Sequence, residues 1–395
     1  MPTLVRCAGS DGPGITAAVL GAVDAVGATL LEMDQLVVRG RLTLDLLVDA
    51  ADPAVLGPAL GAVAAELGVE VTLEPGPDGT TPPAAAAGGA VVTVMAERLG
   101  AAPLAAVTGA IATSGGNIAR IQRLAHRPVC AFEFHVAGGD PSTLRSVLVD
   151  AAAAHGVDVA VQADRLGRLR RLVVLDVDST LIRDEVIELV AAEVGCEDEV
   201  AAITARAMAG ELDFEQSLRA RVALLAGAPV GALDAAAARL RLTPGARTLV
   251  RTLHRLGLVV AVVSGGFDHV VVPLAQGLGI RHAAANRLEV VDGRLTGGLV
   301  GPVLDRAGKA RELHRIAEAE GIPLEQTVAI GDGANDLDMI AAAGLGVAFN
   351  AKPAVRAAAD TSVSVPRLDA VLFLLGVHSD EVVADPDDEP VAAVA

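Results

Sequence analysis

The spacing of apolar residues divides the chain into regions of different kind. Around Leu42-x-Leu44-x-Leu46-x-Val48 and again around Cys130-x-Phe132-x-Phe134-x-Val136, apolar side chains occupy every second position. That alternation predicts strands with one buried face. Leu172–Leu175, Val259–Val263 and Thr327–Ile330 are instead near-continuous apolar runs, the pattern of parallel strands buried on both faces. From Leu181 to about Leu242 the spacing is helical throughout.

The two alternating regions belong to a repeat. At a shift of 88 residues, and without gaps, Gly12 aligns with Gly100, Gly21 with Gly109, Gly27 with Gly115, Leu36 with Leu124 and Val48 with Val136. Each copy reads strand, Gly-containing turn, helix, strand, strand, helix, strand, a βαββαβ plan. The stretch Thr72 to Ala90, rich in Pro, Gly and Ala, has no periodicity and is expected to be a linker. The domains expected are therefore 1–75, a linker at 76–90, a second copy at 91–165, and an α/β domain at 171–376. The last alternates strand and helix signals and so predicts a parallel sheet. Its helical insertion, at about 183–242, is expected to form a cap. A tail at 379–395, acidic and Pro-containing, is expected to be disordered.

The candidate chemistry lies where the continuous apolar runs stop. Leu172–Leu175 ends in Asp176-Val177-Asp178-Ser179-Thr180, two carboxylates at i and i+2 that would point the same way from extended chain. Val259–Val263 ends in Ser264-Gly265-Gly266, a hydroxyl followed by exposed backbone N–H groups suited to a phosphate. Thr327–Ile330 ends in Gly331-Asp332-Gly333-Ala334-Asn335-Asp336. Lys309 is expected to open a helix over 309–320, a place where acids are favoured, which suggests that it faces an anion. Asp292-Gly293 marks a hairpin between Asn286–Val291 and Arg294–Leu299. In the insertion, Asp213 and Gln216 predict a capping box, and Phe214 and Arg221, seven apart, share one helix face.

Composition narrows the partners. The 395-residue chain is 52% hydrophobic but only 2% aromatic, so its cores must be built from Val, Leu, Ile and Ala. A net charge of −18 disfavours nucleic acid and anionic membranes as partners. Of 31 basic side chains only Lys309 and Lys352 are lysines, which draws attention to both. Cys7, Cys130 and Cys196 are too far apart for a disulfide framework or a zinc site, and no signal segment or membrane span is evident, so a cytoplasmic location is expected.

The strand-end set, with Glu185 and the run Phe214-Glu215-Gln216-Ser217-Leu218-Arg219-Ala220-Arg221, resembles the haloacid-dehalogenase superfamily over about 171–376, and within it the branch that acts on phosphoserine. The turn Ser10-Asp11-Gly12-Pro13-Gly14-Ile15-Thr16 resembles the ACT-domain signature, and two such domains before the phosphatase resemble the actinobacterial arrangement. The resemblance implies a three-layer parallel sheet with a helical cap, preceded by two ferredoxin-like domains. It implies Mg2+-dependent hydrolysis of O-phospho-L-serine, the last step of serine biosynthesis, with Asp176 as nucleophile and Asp178 as general acid and base. Asp176, Asp178 (by its carbonyl) and Asp332 would hold the metal. Ser264, Gly265, Lys309 and Asn335 would hold phosphate, with Asp336 in support, and Glu185, Arg221 and Phe214 would select the amino acid. The ACT units would bind an amino-acid effector, serine being one possibility, at Gly14 and Gly100, although Ala102 stands where a second Gly14 would be. A homodimer joined through ACT edge strands is expected. Another amino-acid phosphate such as phosphohomoserine is the alternative substrate, and a sensor with a vestigial phosphatase the alternative class.

Overall fold

The computed structural model describes residues 2–50, 53–76, 89–163 and 170–388. Most of the expected linker (77–88) and the end of the tail (389–395) lie outside the described residues. The chain divides into two compact units, Met1–Ala85 and Ala86–Ala395.

The first unit runs β1 (Pro2–Ser10), α1 (Ile15–Ala25), β2 (Thr29–Val38), β3 (Arg41–Asp49), α2 (Pro53–Leu67) and β4 (Glu70–Pro75). Its strands lie in the order β2-β3-β1-β4, with antiparallel neighbours. One sheet face is sealed by the helices, with Val5, Cys7, Leu44 and Leu46 fully buried. The second copy repeats the plan as β5 (Ala90–Ala96), α3 (Ala101–Thr113), β6 (Asn117–Ala125), β7 (Cys130–Ala137), α4 (Pro141–His155) and β8 (Asp158–Ala163), in the order β6-β7-β5-β8. Asp140 caps α4 by accepting the Thr143 N–H, with Pro141 at the first helical position.

The ungapped 88-residue match holds for the later strands but not for the first. Arg6 lies opposite Asp45, whereas Thr93 lies opposite Glu133. Thus β5 sits at an offset of 87 from β1 while β7 keeps 88 from β3. The first helices start at an offset of 86, so that Gly14 and Gly100 are the residues preceding them. Those two glycines differ in backbone: Gly14 has φ +91°, but Gly100 is extended.

The remaining residues build a seven-stranded sheet ordered β12-β11-β10-β9-β13-β14-β15. In chain order these are β9 (Leu172–Leu175), β10 (Val259–Phe267), β11 (His282–Val291), β12 (Arg294–Val300), β13 (Thr327–Gly331), β14 (Leu345–Phe349) and β15 (Thr361–Val363). All neighbours are parallel except β11 and β12. Asp292 and Gly293 both take positive φ in that hairpin turn, as a tight type I′ connection requires. Strand β9 pairs with β10 on one side and β13 on the other. Its C-terminal end is therefore the point where the strand order reverses, the usual ligand crevice of an open α/β sheet.

Helices α5 (Val186–Val194), α6 (Glu197–Met208), α7 (Phe214–Ala223) and α8 (Gly231–Ala237) form the insertion after β9. Its two connections meet in an isolated bridge between Ile182 and Leu242, with Arg183 N–H donating to the Arg241 carbonyl. Helix α9 (Ala246–Arg255) returns the chain to β10, followed by α10 (Asp268–Gly277), α11 (Arg306–Ala319), α12 (Leu337–Ala342), α13 (Pro353–Ala358) and α14 (Val371–Leu374). Lys309 does not open its helix: α11 begins at Arg306 under an Asp305 cap, so Lys309 lies at the end of its first turn.

The tail differs from expectation over its described part. Asp388 accepts the Thr248 N–H at the start of α9, and the N–H groups of Asp385 and Val383 donate to the hydroxyls of Thr248 and Thr252. An acid at a helix start satisfies an otherwise unpartnered donor and complements the helix dipole, so here negative charge anchors the segment instead of solvating it.

The sequence boundary near 165–171 is not a boundary of packing. The sheet face of the second copy that lacks helices is buried against the catalytic part, and Met95, Leu124, Val129 and Ala160 join the core that contains α9 and α14.

Candidate active site

Asp176 continues directly from β9, its N–H donating to Ile330 on β13. Its carboxylate is 2% exposed. Oδ1 accepts the Val177 N–H at 2.7 Å and lies 2.8 Å from Lys309 Nζ. Lys309 has no exposed surface and also donates to Asp336 Oδ1 at 2.6 Å. Asp336 Oδ2 in turn accepts the Gly333 N–H. The buried ammonium thus has two carboxylate partners. Burial opposes its charge, but Asp176 and Asp336 outweigh burial and hold its pKa above the ordinary lysine value.

Asp178 has extended φ and ψ (−62°, 132°) like Asp176, but β9 ends at Leu175 and the two are separated by the start of a tight turn over Val177–Leu181. The chain turns at Ser179, which takes φ +56°, and the carboxylate of Asp178 swings to the cap root and to β10. Oδ1 accepts the Val186 N–H at 2.7 Å, and Oδ2 accepts the Ser264 hydroxyl at 3.1 Å. Ser264 Oγ itself accepts the Gly266 N–H at 2.8 Å. A Cβ on Gly266 would stand 2.9 Å from Asp178 Oδ2, so the glycine makes room for that carboxylate. Burial raises the Asp178 pKa against these hydrogen bonds. Burial and the nearby Asp336 charge raise that of Asp176 well above the carboxylate range, with Lys309 opposing.

Glu185 precedes α5 without capping it; its carboxylate accepts the Ser179 hydroxyl at 2.8 Å. Burial, reinforced by Asp178, lifts its pKa to about 7. The expected capping box of α7 is present, both bonds made between Asp213 and Gln216. Across the site, Arg221 makes one long bond to its own helix, to the Ser217 carbonyl at 3.4 Å, and burial lowers its pKa. Phe214 approaches Gly265 so closely that a Cβ there would lie 3.0 Å from the ring.

A cavity of about 750 Å³ is lined by Asp176, Asp178, Glu185, Phe214, Arg221, Gly265, Asp332 and Asn335. It thereby joins residues of β9, β10, β13 and the cap. Lys309 and Asp336 lie beneath its floor, and Ser264 at its wall through Asp178. Sequence reasoning did not select Asn286, whose amide donates to the Gly265 carbonyl and accepts the Leu304 N–H, holding the glycine turn from β11. Nor did it select Thr180, which donates to Asp332, or Glu188, Arg306 and Lys352 on the cavity wall. No strand-end or spacing signal marks Asn286; Thr180 stood in the strand-end stretch without a role, and the rarity of lysine did mark Lys352.

Among the described residues one carboxylate group is compact enough to hold a metal ion: Asp176, Asp332 and Asp336, whose nearest oxygens lie within 4.8 Å of one another. Both Asp336 oxygens are engaged, by Lys309 and Gly333. Burial, with the Asp336 charge, lifts Asp332 to about 6. Buried carboxylates that cost this much to ionise suit a hard divalent cation, and the all-oxygen donor set fits Mg2+.

A haloacid dehalogenase-like hydrolase model matches residues 173–341, and ACT-domain models match 2–74 and 89–162. A phosphoserine phosphatase of Streptomyces coelicolor is 54% identical over 97% of this chain and 94% of its own length. One from Mycobacterium tuberculosis is 47% identical over 96% of this chain and 94% of its own. A solved structure titled as a phospho-aspartyl intermediate analogue of phosphoserine phosphatase aligns with TM-score 0.50 and 47% identity, covering 52% of this chain and 98% of that one. The chain is a haloacid dehalogenase-like hydrolase carrying two ACT domains, and it belongs to the phosphoserine phosphatase family.

Proposed function

We propose that the chain hydrolyses O-phospho-L-serine to L-serine and phosphate through an aspartyl-phosphate, the closing step of serine biosynthesis. The observation that carries this is the composition of one cavity. A buried carboxylate pair lines it from the sheet, while Glu185 and Arg221, of opposite charge, line it from the cap.

In this reading Asp176 attacks phosphorus in line while the P–O bond to serine breaks. Asp178 delivers a proton to the departing seryl oxygen, then accepts one from the water that cleaves the aspartyl-phosphate. Lys309, Ser264, Asn335 and the Gly265 backbone take the phosphoryl oxygens, and Asp336 fixes Lys309 in place. Glu185 pairs with the substrate ammonium and Arg221 with its carboxylate. Phe214 closes the pocket above Gly265. Mg2+, held by Asp176, Asp332 and the Asp178 carbonyl, would neutralise phosphate charge so that an anionic nucleophile can approach. The cavity is larger than phosphoserine needs, which leaves a longer amino-acid phosphate such as phosphohomoserine as the second reading.

The test is phosphate release from L-phosphoserine with Mg2+, against phosphohomoserine as competitor, in the wild type and Asp176→Asn. Selective turnover lost by at least about 10³-fold in the variant supports the assignment; turnover of phosphohomoserine alone overturns the substrate. A second arm follows pH. The folded-state pKa of Glu185, about 7, exceeds the ordinary 4.5, so ionising it opposes folding increasingly up to pH 7. Glu185→Gln should raise Tm above pH 7 yet raise KM for phosphoserine there, and should flatten the fall of kcat/KM below pH 7. A Tm and KM that both worsen would remove the ammonium role.

Effector binding at Gly14 and Gly100 and a homodimer belong to the same proposal. Strand β2 supports the second: it is a sheet edge exposed along its whole length, with Leu36 60% and Val38 56% exposed. No helix among the described residues is long and apolar enough to cross a membrane. Three free cysteines fit action in a reducing cytoplasm.

A further inference from the structure

Both lysines of the chain converge on one site. Lys309 lies buried under Asp176, and Lys352 lines the same cavity from the C-terminal end of β14, a fourth strand end beside the three that carry the candidate chemistry. Lys352 is exposed and so stands at the solvent edge of the cavity. Its backbone is fixed from both sides. Asn350 takes φ +45° and donates its N–H to the Val363 carbonyl at 2.7 Å. Pro353 begins α13 and holds Lys352 in extended backbone, φ −64° and ψ 154°.

The other cations on the cavity wall are committed. Arg306 donates to Asp338 at 2.6 Å, and Arg221 turns to Ser217 while facing Glu185 and Asp178. The Lys352 carbonyl accepts the Val355 and Arg356 N–H groups, but its ammonium has no hydrogen-bond or ion-pair partner among the described residues. This ammonium borders a cavity walled by Asp176, Asp178, Glu185, Glu188 and Asp332. Such a wall repels a phosphate dianion until the anion is deep enough to meet Lys309.

We propose that Lys352 recruits phosphate at the cavity mouth: it receives the phosphoryl group of the incoming ester and the inorganic phosphate on its way out. A lysine suits this better than arginine in one respect. Its ammonium is a compact, hydrated point charge on a flexible stem, which attracts phosphate without the bidentate grip that would retain it. Lys352 acts before and after bond cleavage and is a specificity and access residue, not a catalytic one.

The inference rests on the phosphatase reading of the cavity, and its test separates the two. Lys352→Gln and Lys352→Arg are compared with wild type for turnover of L-phosphoserine and of 4-nitrophenyl phosphate, and for inhibition by inorganic phosphate, over a range of ionic strength. In the Gln variant KM for both esters and Ki for phosphate should rise together by about fivefold, the size of one exposed charge pair. Its kcat should stay within about twofold, and the salt dependence of kcat/KM should weaken because screening has less attraction left to remove. Arg should restore most of the loss. Unchanged KM, Ki and salt slope in the Gln variant would overturn the proposal. So would a parallel fall of kcat and Tm in both variants, which would make Lys352 a turn residue only. Failure on phosphoserine with the phosphate and nitrophenyl effects intact would strike the substrate assignment and leave Lys352 standing.

Discussion

The first and second ACT units share a topology and differ in what lies on their open sheet face. In the first, Arg6 and Asp45 stand opposite each other across β1 and β3 and form an ion pair whose side chains are 50% and 30% exposed. In the second, the matching pair is Thr93 and Glu133, both buried. Glu133 accepts from Gln122, and His135 Nε2 lies 2.8 Å from it. Leu4, Arg6 and Ala8 on β1 become Val91, Thr93 and Met95 on β5, none with exposed surface. One fold thus serves as a compact unit of its own and as a layer of an enzyme's core. The conversion involves outward positions on all four strands, among them Met95, Leu124, Ala131 and Ala160, and a few polar partners.

Those partners are specific. Asp158, 3% exposed, accepts from the hydroxyls of Ser362 and Ser364 and from the Ser364 N–H, tying β8 to β15, the edge of the catalytic sheet. Gln162 donates to the Leu374 carbonyl. Arg145 pairs with Asp360 at 2.7 Å, whose other oxygen accepts the Gly346 N–H on β14. The second unit is therefore fastened to the strand pair that leads into the Lys352 loop.

The sharpest way to break the comparison is truncation. A chain starting at residue 86 keeps every buried residue of the larger unit's cores and should retain its unfolding transition and its kcat within about twofold. A chain starting at residue 170 uncovers the apolar surface that Met95, Leu124 and Val129 seal and should aggregate or lose most of its soluble yield. Equal behaviour of the two truncations would mean that both ACT units are appendages.

Next in size are two single substitutions at matching positions. Asp158→Ala strands a buried backbone N–H and two hydroxyls and should cost about 2–3 kcal/mol. In calorimetry that is a fall of roughly 3–5 °C in the larger unit's transition. Glu70, at the same place on β4, is exposed, and Glu70→Ala should stay within about 0.5 kcal/mol. A comparable loss at both positions would show that the carboxylate serves the ACT fold itself, not the attachment to β15.

The sheets and the strand-end chemistry were legible because both follow from period and position. Continuous apolar runs gave β9, β10 and β13, and carboxylates placed where such runs stop could not be surface decoration. Asp178 was half legible: its place at the site was expected, but its carboxylate takes different partners from that of Asp176 because β9 ends at Leu175 and a tight turn begins at Val177 between them. Asn286 was hidden, and so was the bond from Thr180 to Asp332, because an amide or a hydroxyl that braces a neighbour carries no spacing of its own. The burial of the second ACT unit left a trace that alternation alone did not expose. Ala90-Val91-Val92-Thr93-Val94-Met95 has no charged outward position, whereas the matching strand carries Arg6. In the tail, composition argued for solvation, but Thr248 and Thr252, one helical turn apart on α9, offered acceptors to the backbone of a segment rich in acids.

The smallest expected effect tests the two turns. Both glycines precede the first helix of their unit, and a Cβ on either would meet nothing within 4 Å, so space does not distinguish them. Backbone does. At φ +91° a side chain at position 14 is strained, and Gly14→Ala should destabilise the first unit by about 1 kcal/mol. Gly100 is extended, a conformation open to any residue, and Gly100→Ala should be neutral or stabilise by up to about 1 kcal/mol, since it removes freedom only from the unfolded chain. If the ACT turns bind an amino acid through close backbone approach, the two substitutions should part again in binding. Alanine at position 14 should weaken it severalfold, read by calorimetric titration with L-serine. A loss at position 100 without any loss at 14 would move effector binding to the unit that is already part of the catalytic core.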